Sequence, residues 1–132
     1  MKRILLVDDS RVTRELMKVY LIAKDVTLLE AADGEEALEK ARSEVPDLII
    51  ADMRMPRLDG GGLCEAIAKD PKLAHVPVVI LTSNGDADTR RRARAAGARE
   101  VLKKPIQPNE LFAAVKRNLP RPPAPGSEAV PR

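Results

Sequence analysis

Three carboxylates close two apolar runs of the sequence. Asp8 and Asp9 follow the run at residues 4–7, and Asp52 follows the run at residues 48–51. Continuous runs of this length, rich in Val, Ile and Leu, are typical of strands buried on both faces of a parallel sheet. In open α/β sheets, ligands and chemistry collect outside the carboxyl ends of the strands. We therefore expect the three acids to meet at one edge of a sheet.

Two further apolar runs end in groups that complement carboxylates. Thr82 follows the run at residues 78–81, and Lys103, Lys104 and Pro105 follow the short run at 101–102. Three acids together stay ionised only with a cation among them. Oxygen ligands without a nearby His or Cys suit a hard divalent ion such as Mg²⁺. The sequence thus predicts a site for a cation and an oxyanion, which is what phosphoryl transfer requires.

Composition indicates one domain with an aliphatic core. The chain has 132 residues, 44% of them apolar and 33% charged, and Tyr20 and Phe112 are its only aromatic residues. No apolar stretch approaches the ~20 residues that a membrane-spanning helix needs. Met1-Lys2-Arg3 has the charge of a signal peptide, but the apolar run stops at Asp8. The single cysteine, Cys64, excludes a disulfide framework, is expected to be a small buried apolar residue, and suits a cytoplasmic protein.

Basic residues are concentrated in the last third of the chain. The net charge is +3 and the pI is near 9.2. Without a helix-turn-helix signature, zinc spacing or aromatic platform, nucleic-acid binding is not indicated. A solvated helix face is the ordinary interpretation, and the alternative is a docking surface for an acidic partner formed by Arg90, Arg91, Arg94, Arg99, Lys116 and Arg117.

Helical patterns alternate with the strands. The segment from Ser10 to Ala23 carries a stripe typical of the face that a helix turns to its core, and its members are Val12, Leu16, Val19, Tyr20 and Ala23. A short strand is expected at residues 26–31, and further helices begin after Asp33, near Asp59, after Asp86 and at Pro108. The glycines at 60–62 each cost up to ~1 kcal/mol inside a helix.

The fourth helix, roughly Asp86 to Ala96, has only alanines as apolar residues. Helix propensity is good, but little apolar area is available for docking on the sheet. We expect this helix to be the least firmly packed of the five. From Pro120 to Arg132 the sequence is proline-rich and aperiodic, so residues 1–119 are predicted as the folded domain and 120–132 as a disordered tail or the start of a linker.

These motifs in this order resemble the response-regulator receiver family, the CheY-like domains of two-component signalling. The resemblance rests on Asp8-Asp9, the segment from Asp52 to Pro56 with Asp59-Gly60, Thr82, and Lys104-Pro105, and it covers about residues 2–119. Five β-α units already specify an α/β fold with a parallel sheet and helices on both faces. The resemblance implies the flavodoxin-like strand order 2-1-3-4-5.

The resemblance also implies a role for each site residue. Asp52 is the phosphoacceptor, and Asp8, Asp9, Asp52 and the backbone carbonyl of Arg54 hold Mg²⁺, for which Mn²⁺ can substitute. Thr82 and Lys104 contact the phosphoryl group. The Lys104–Pro105 peptide bond is a candidate for the cis form.

Two departures from the family pattern stand out. Val101 occupies the position three residues before the lysine, where receivers usually carry an aromatic switch residue. Arg54 and Asn84, each two residues past a site residue, flank the approach to the phosphate and are expected to alter the lifetime of the acyl phosphate. His75 lies in a loop and is not expected to act in catalysis.

The favoured function is a phosphorylation-controlled signalling module. It would take a phosphoryl group from a histidine kinase or phosphotransfer protein and act on an output partner through its fourth helix, fifth strand and fifth helix, as a monomer or a phosphorylation-dependent dimer.

One alternative is the receiver half of a larger regulator, for example a DNA-binding one, truncated in the tail, and another is an atypical receiver that signals without the aromatic switch. A Mg²⁺-dependent phosphohydrolase is disfavoured, since such enzymes usually carry a second acid where Arg54 stands. Beyond self-phosphorylation and autodephosphorylation no enzymatic activity is expected.

Overall fold

The computed structural model describes residues 2–22, 25–83 and 85–119. Strands and helices alternate along the chain, and their bounds are β1 (Lys2–Val7), α1 (Arg11–Leu21), β2 (Val26–Ala31), α2 (Gly34–Glu44), β3 (Leu48–Asp52), α3 (Gly60–Lys69), β4 (Val78–Thr82), α4 (Ala87–Ala96), β5 (Glu100–Lys103) and α5 (Pro108–Asn118). The predicted proline-rich tail and Asn84 lie outside the described residues. In the part of the chain that is described, no helix has the length and apolar character to span a membrane.

The five strands form one parallel sheet in the order β2-β1-β3-β4-β5. This is the flavodoxin-like arrangement, so the predicted fold is confirmed. Successive side chains of a strand point to opposite faces, and the core is accordingly divided in two. Leu5 and Val7 of β1 face a cluster with α2, α3 and α4, whereas Ile4 and Leu6 face a cluster with α1 and α5.

Four helices begin at a side chain that caps their first turn. Ser10, Asp33, Asp59 and Asp86 each accept a hydrogen bond from the backbone amide three residues later. Each such cap stabilises its helix by about 1 kcal/mol. The sequence predicted these starts correctly because short polar side chains before a helical pattern are strong local signals.

Helix α1 turns a different face to the sheet than its sequence suggested. Met17 and Leu21 are fully buried, while the other apolar residues are solvent-exposed: Val12 (77%), Leu16 (44%), Val19 (63%) and the neighbouring Ile22 (78%). The prediction that Val12, Leu16 and Val19 face the core was therefore wrong, Tyr20 packs only at the margin of the core, and Ala23 lies outside the described residues. The helix carries two apolar stripes, and periodicity alone does not choose between them.

Helix α4 is held to the sheet by very little apolar surface. Ala93 is its one buried residue, and Ala96 is partly buried. Polar contacts supplement this packing, because Arg92 pairs with Asp59 at the start of α3 at 2.8 Å. The prediction that α4 has a sparse apolar face is confirmed. Gly97 ends the helix in the left-handed conformation.

Candidate functional site

The four predicted functional strand ends lie side by side in the sheet. The register pairs Val7 with Ala51, Asp52 with Leu81, and Thr82 with Lys103. Parallel strands with this register end at the same edge, so the residues that follow them are neighbours in space although they are far apart in sequence. This edge is the candidate site.

Three carboxylates meet at this edge. One oxygen each of Asp8, Asp9 and Asp52 lies within 4.8 Å of the others. Asp8 is fully buried, Asp52 is 8% exposed and Asp9 is exposed. Burial, followed by the negative charge of Asp8, raises the pKa of Asp52 above its usual value. An all-oxygen set of mutually repelling carboxylates fits a hard divalent cation, and Mg²⁺ prefers such ligands.

Lys104 supplies the positive charge among these acids. Its Nζ lies 2.9 Å from Asp8 Oδ2 and 3.4 Å from Asp52 Oδ1. Burial opposes the charged form of Lys104, but the hydrogen bond to Asp8 and the charge of Asp52 outweigh it, so its pKa is raised. The Lys104–Pro105 peptide bond is cis. Lys103 is exposed and its side chain lies over Gly85, away from the acids.

Main-chain contacts fix the position of Asp8. Its amide donates to the carbonyl of Ala31, its Oδ1 accepts from the amide of Ser10, and its own carbonyl accepts from Arg14 at 2.6 Å. Arg14 also pairs with Glu30 at 3.0 Å. The role of Arg14 was not foreseen from the sequence, because one arginine on an amphipathic helix carries no distinguishing signal.

The segment that follows Asp52 is closely packed against α3. The amide of Met53 donates to the carbonyl of Leu81, and the amide of Gly60 donates to the carbonyl of Met53. A Cβ added to Gly60 would lie 2.5 Å from the carbonyl oxygen of Asp52. Glycine is thus required at position 60 because α3 approaches the backbone of Asp52 directly, a requirement that helix propensity does not reveal.

The same segment is also tied to the start of α2. Arg57, which has a positive φ of 69°, donates from Nε and from a terminal nitrogen to Asp33 Oδ2 at 3.1 and 2.8 Å. A Cβ on Gly34 would lie 1.9 Å from the carbonyl oxygen of Leu58. The backbone hydrogen bond from Glu36, followed by the side chain of Arg57, lowers the pKa of Asp33. The local sequence pattern does not predict these contacts, because they join residues that are far apart in the chain.

Thr82 ends β4 next to the lysine. It is 2% exposed, and its carbonyl accepts from the amide of Lys104 at 2.8 Å. Val101 is also buried, at 5%, and packs with the cluster that includes Ile80 and Ala93. The side chain of Arg54 is exposed, whereas Asn84, predicted to flank the site with it, lies outside the described residues.

The six basic residues predicted as an output face differ in their contacts. Arg117 pairs with Glu100 at 2.6 Å and Arg91 with Asp88 at 2.7 Å, while Lys116 Nζ lies 5.4 Å from the ring centroid of Phe112. Arg90 donates to two backbone carbonyls. Arg94 and Arg99 are exposed. Part of the positive charge of this face is therefore balanced within the domain.

A buried carboxylate beside a lysine and two further acids, at the carboxyl edge of a five-stranded parallel sheet in the order 2-1-3-4-5, defines a receiver-type domain. The model of the response regulator receiver domain family matches residues 4–116. The chain belongs to this family, whose members are the phosphoacceptor domains of two-component signalling.

Known proteins with similar sequences include regulators and a histidine kinase. The chain is 38% identical over 120 residues to the probable transcriptional regulator ycf27 of Guillardia theta, covering 91% of this chain and 46% of the relative. It is 37% identical over 114 residues to the response regulator PleD of Caulobacter vibrioides, covering 86% and 25%. The chain thus spans half the length, or less, of these curated relatives.

Solved structures of similar size share the fold. The chemotaxis protein CheY4 of Vibrio cholerae has a TM-score of 0.85 and 32% identity, with 90% of this chain and 99% of that chain covered. The receiver domain of a signal transduction histidine kinase from Syntrophus aciditrophicus has a TM-score of 0.84 and 34% identity, with 90% of each chain covered.

Proposed function

We propose that this receiver accepts a phosphoryl group on Asp52 and uses it to change its affinity for a partner. The observation that carries the proposal is the position of the Asp52 carboxylate, which is nearly buried, lies 3.4 Å from Lys104 Nζ and is flanked by two further acids. Burial and the neighbouring acids raise the pKa of Asp52 when no cation is bound. A second positive charge in this cluster would favour the ionised, nucleophilic form.

The proposed transfer is a substitution at phosphorus. A carboxylate oxygen of Asp52 attacks the phosphoryl group of a phosphohistidine, the P–N bond breaks, and its electron pair returns to the imidazole. The product is a mixed anhydride on Asp52. Lys104 exchanges its contact with Asp52 for one with a phosphoryl oxygen, and the hydroxyl of Thr82 donates to another. Attack of water at the phosphorus later restores the carboxylate and releases inorganic phosphate.

Mg²⁺ is the cofactor that the donor set fits, and Mn²⁺ accepts the same ligands. Asp8, Asp9, Asp52 and the carbonyl of Arg54 would hold the ion, which would balance charge on the transferring oxygens. Asp8 is already engaged by Lys104 and by the amide of Ser10. We therefore assign Asp9, whose side chain is exposed, as the direct ligand and Asp8 as a ligand through water.

The exposed stripe of α1 is the surface that we assign to the phosphodonor protein. A donor must bring its phosphorylated side chain to Asp52, so it has to dock on elements that border the site. Helix α1 begins at Ser10, immediately after the acid pair, and turns Val12, Leu16, Val19 and Ile22 to solvent. Contiguous exposed apolar residues of this kind mark protein interaction surfaces.

The output partner is assigned to the α4–β5–α5 face. Arg94 and Arg99 give this face positive charge that favours an acidic partner. Curated relatives about twice as long as this chain include the protein named probable transcriptional regulator ycf27, which supports the alternative that residues 1–119 are the receiver half of a larger regulator. In that case the output partner is a domain of the same protein.

Intact-mass measurement after incubation with acetyl phosphate tests the proposal. We expect one added phosphoryl group that requires Mg²⁺ and is absent from Asp52→Asn. Asp88→Asn is a matched control, since Asp88 is an exposed aspartate on α4, and it should be phosphorylated normally. An adduct that persists in Asp52→Asn would place the acceptor elsewhere. No adduct on a protein that binds Mg²⁺ would mean that the domain signals without phosphate.

A further inference from the structure

Arg90 links α4 to β5 and to the connection that follows β4. Its Nε donates to the carbonyl of Gly85 at 3.1 Å, and a terminal nitrogen donates to the carbonyl of Val101 at 3.3 Å. Gly85 lies three residues after Thr82, in the connection between β4 and α4. Val101 lies three residues before Lys104, on β5. One guanidinium therefore joins the first turns of α4 to the chain beyond Thr82 and to β5, the strand that precedes Lys104.

The two residues that accept hydrogen bonds from Arg90, Gly85 and Val101, are both small. Val101 is a small residue and is buried with Ile80 and Ala93. A Cβ on Gly85 would lie 3.6 Å from a terminal nitrogen of Arg90 and 3.3 Å from Cδ of Lys103. The guanidinium therefore lies directly over Gly85. Helix α4 has only Ala93 fully buried, so polar contacts such as those of Arg90 and Arg92 supplement its sparse apolar packing.

We infer that Arg90 is the residue that couples the phosphorylation site to α4 in this domain, by holding Gly85 and Val101 before phosphorylation and releasing Gly85 after it. The inference rests on the proposed function. Thr82 ends β4, and a shift of Thr82 toward a phosphoryl group on Asp52 would displace Gly85, which follows it by three residues. The Nε contact is the one released in this inference, since Gly85 belongs to the displaced connection, whereas Val101 lies on a strand that is paired with β4.

The released side chain changes the surface of the domain as well as its packing. Arg90 is only partly exposed before release. After release its charge turns toward solvent beside Arg91 and Arg94, so the face that binds an acidic partner gains a cation. The coupling thus changes both the freedom of the first turns of α4 and the charge that α4 presents.

Side-chain NMR of the ¹⁵N-labelled chain tests the inference. The Nε–H signal of Arg90 is identified by its loss in Arg90→Lys, and that of exposed Arg94 by its loss in Arg94→Lys. Before phosphorylation, exchange of the Arg90 Nε–H with water should be roughly fivefold or more slower than that of Arg94, as expected for one hydrogen bond. After treatment with acetyl phosphate and Mg²⁺ the two rates should become similar.

Backbone exchange of α4 provides the second readout. In Arg90→Lys the charge is kept but the two carbonyls are no longer bridged, so amides of residues 87–92 should exchange several-fold faster before phosphorylation and change little after it. Arg94→Lys should behave like the unaltered chain. Intact mass is measured on every sample. An adduct on Asp52 with Arg90 Nε–H still protected, or with a full α4 response in Arg90→Lys, overturns the coupling and leaves the proposed function standing. Absence of the adduct overturns both.

Discussion

Lys104 is held closer to Asp8 than to Asp52, with Nζ distances of 2.9 Å and 3.4 Å. The lysine therefore balances a fully buried acid in the resting domain. In the proposed transfer the ammonium group gives up Asp52 for a phosphoryl oxygen, and removal of Lys104 would leave a divalent cation as the charge that balances Asp8. This relationship makes the effect of removing Lys104 dependent on the divalent cation.

Lys104→Met should destabilise the domain more without Mg²⁺ than with it. Without the ion, the substitution leaves buried Asp8 unpaired, and we expect a loss of about 1–3 kcal/mol in the free energy of unfolding. Saturating Mg²⁺ should recover part of that loss because it balances the same carboxylates. Denaturant unfolding in EDTA and in Mg²⁺ measures both values. Lys103→Met, at an exposed neighbour, should change stability by less than about 0.5 kcal/mol in either condition. Equal losses in the two conditions would contradict the interpretation.

Two adjacent glycines of α3 should respond oppositely to alanine. Gly60→Ala places a Cβ 2.5 Å from the carbonyl oxygen of Asp52, so we expect destabilisation and slower phosphorylation. Gly61→Ala meets only ordinary contacts at 3.4 Å with the flexible ends of Arg92 and Met53. It should stabilise the domain by up to about 1 kcal/mol through helix propensity. Thermal unfolding and phosphorylation rates with acetyl phosphate compare the pair, and a destabilised Gly61→Ala would show that α3 does not tolerate this Cβ.

Val19→Lys should separate protein donors from small-molecule donors. Val19 is 63% exposed, so the substitution should leave stability within about 0.5 kcal/mol of the unaltered chain. Phosphorylation by acetyl phosphate should be unchanged, whereas transfer from a phosphorylated histidine kinase or phosphotransfer protein should slow by about tenfold if Val19 is an interface anchor. Lys69→Met, on exposed surface of α3, is the control. Unchanged transfer from protein donors would remove α1 as their docking surface.

Cys64 should be unreactive in the folded domain. The thiol is 2% exposed, and burial raises its pKa to about 12. At pH 8 almost no thiolate forms, and a thiol reagent should label Cys64 only after unfolding. Labelling kinetics across a denaturant series measure this directly, with the fully unfolded chain as the positive control. Rapid labelling without denaturant would show that α3 opens locally.

The pair formed by Glu100 and Arg117 should contribute to acid sensitivity. The hydrogen bond from Arg117 lowers the pKa of Glu100 below the ordinary value of 4.5. The pair therefore stabilises the fold above pH 4.5, and this contribution is lost as pH falls through the lowered value. Glu100→Gln should flatten that part of the stability profile, while Glu39→Gln, an exposed glutamate of α2, should not. Unfolding free energies between pH 3 and 7 provide the comparison.

The sequence contained enough to predict the sheet and the residues at its edge. Strand-end residues such as Asp52 and Thr82 stand next to long apolar runs, and parallel pairing then brings them together without further information. The cap residues were similarly readable, because Asp33 acts within its own turn. Local patterns thus sufficed where the deciding contact lies within a few residues or follows from strand pairing.

Local sequence patterns did not predict the long-range contacts around the site. Gly34 is required by the carbonyl of Leu58, which comes from a loop 24 residues later, and Arg57 reaches Asp33 across the same gap. The buried face of α1 was predicted wrongly because the helix has two apolar stripes. The stripe that contains Met17 is buried, and the other is exposed to solvent. In each case the outcome depends on the relative placement of elements, which periodicity does not encode.

The set of charges at the edge of the sheet also determines an order of events. When all three carboxylates at this edge are ionised, they and the ammonium group of Lys104 together carry a net charge of −2. A phosphohistidine is itself anionic, so the proposed transfer would be disfavoured until a cation balances that charge. The domain would then become able to accept a phosphoryl group once a cation has bound to the three carboxylates, before any donor protein is bound. Binding of the cation and transfer of the phosphoryl group would in that case be two separate events at the same few side chains.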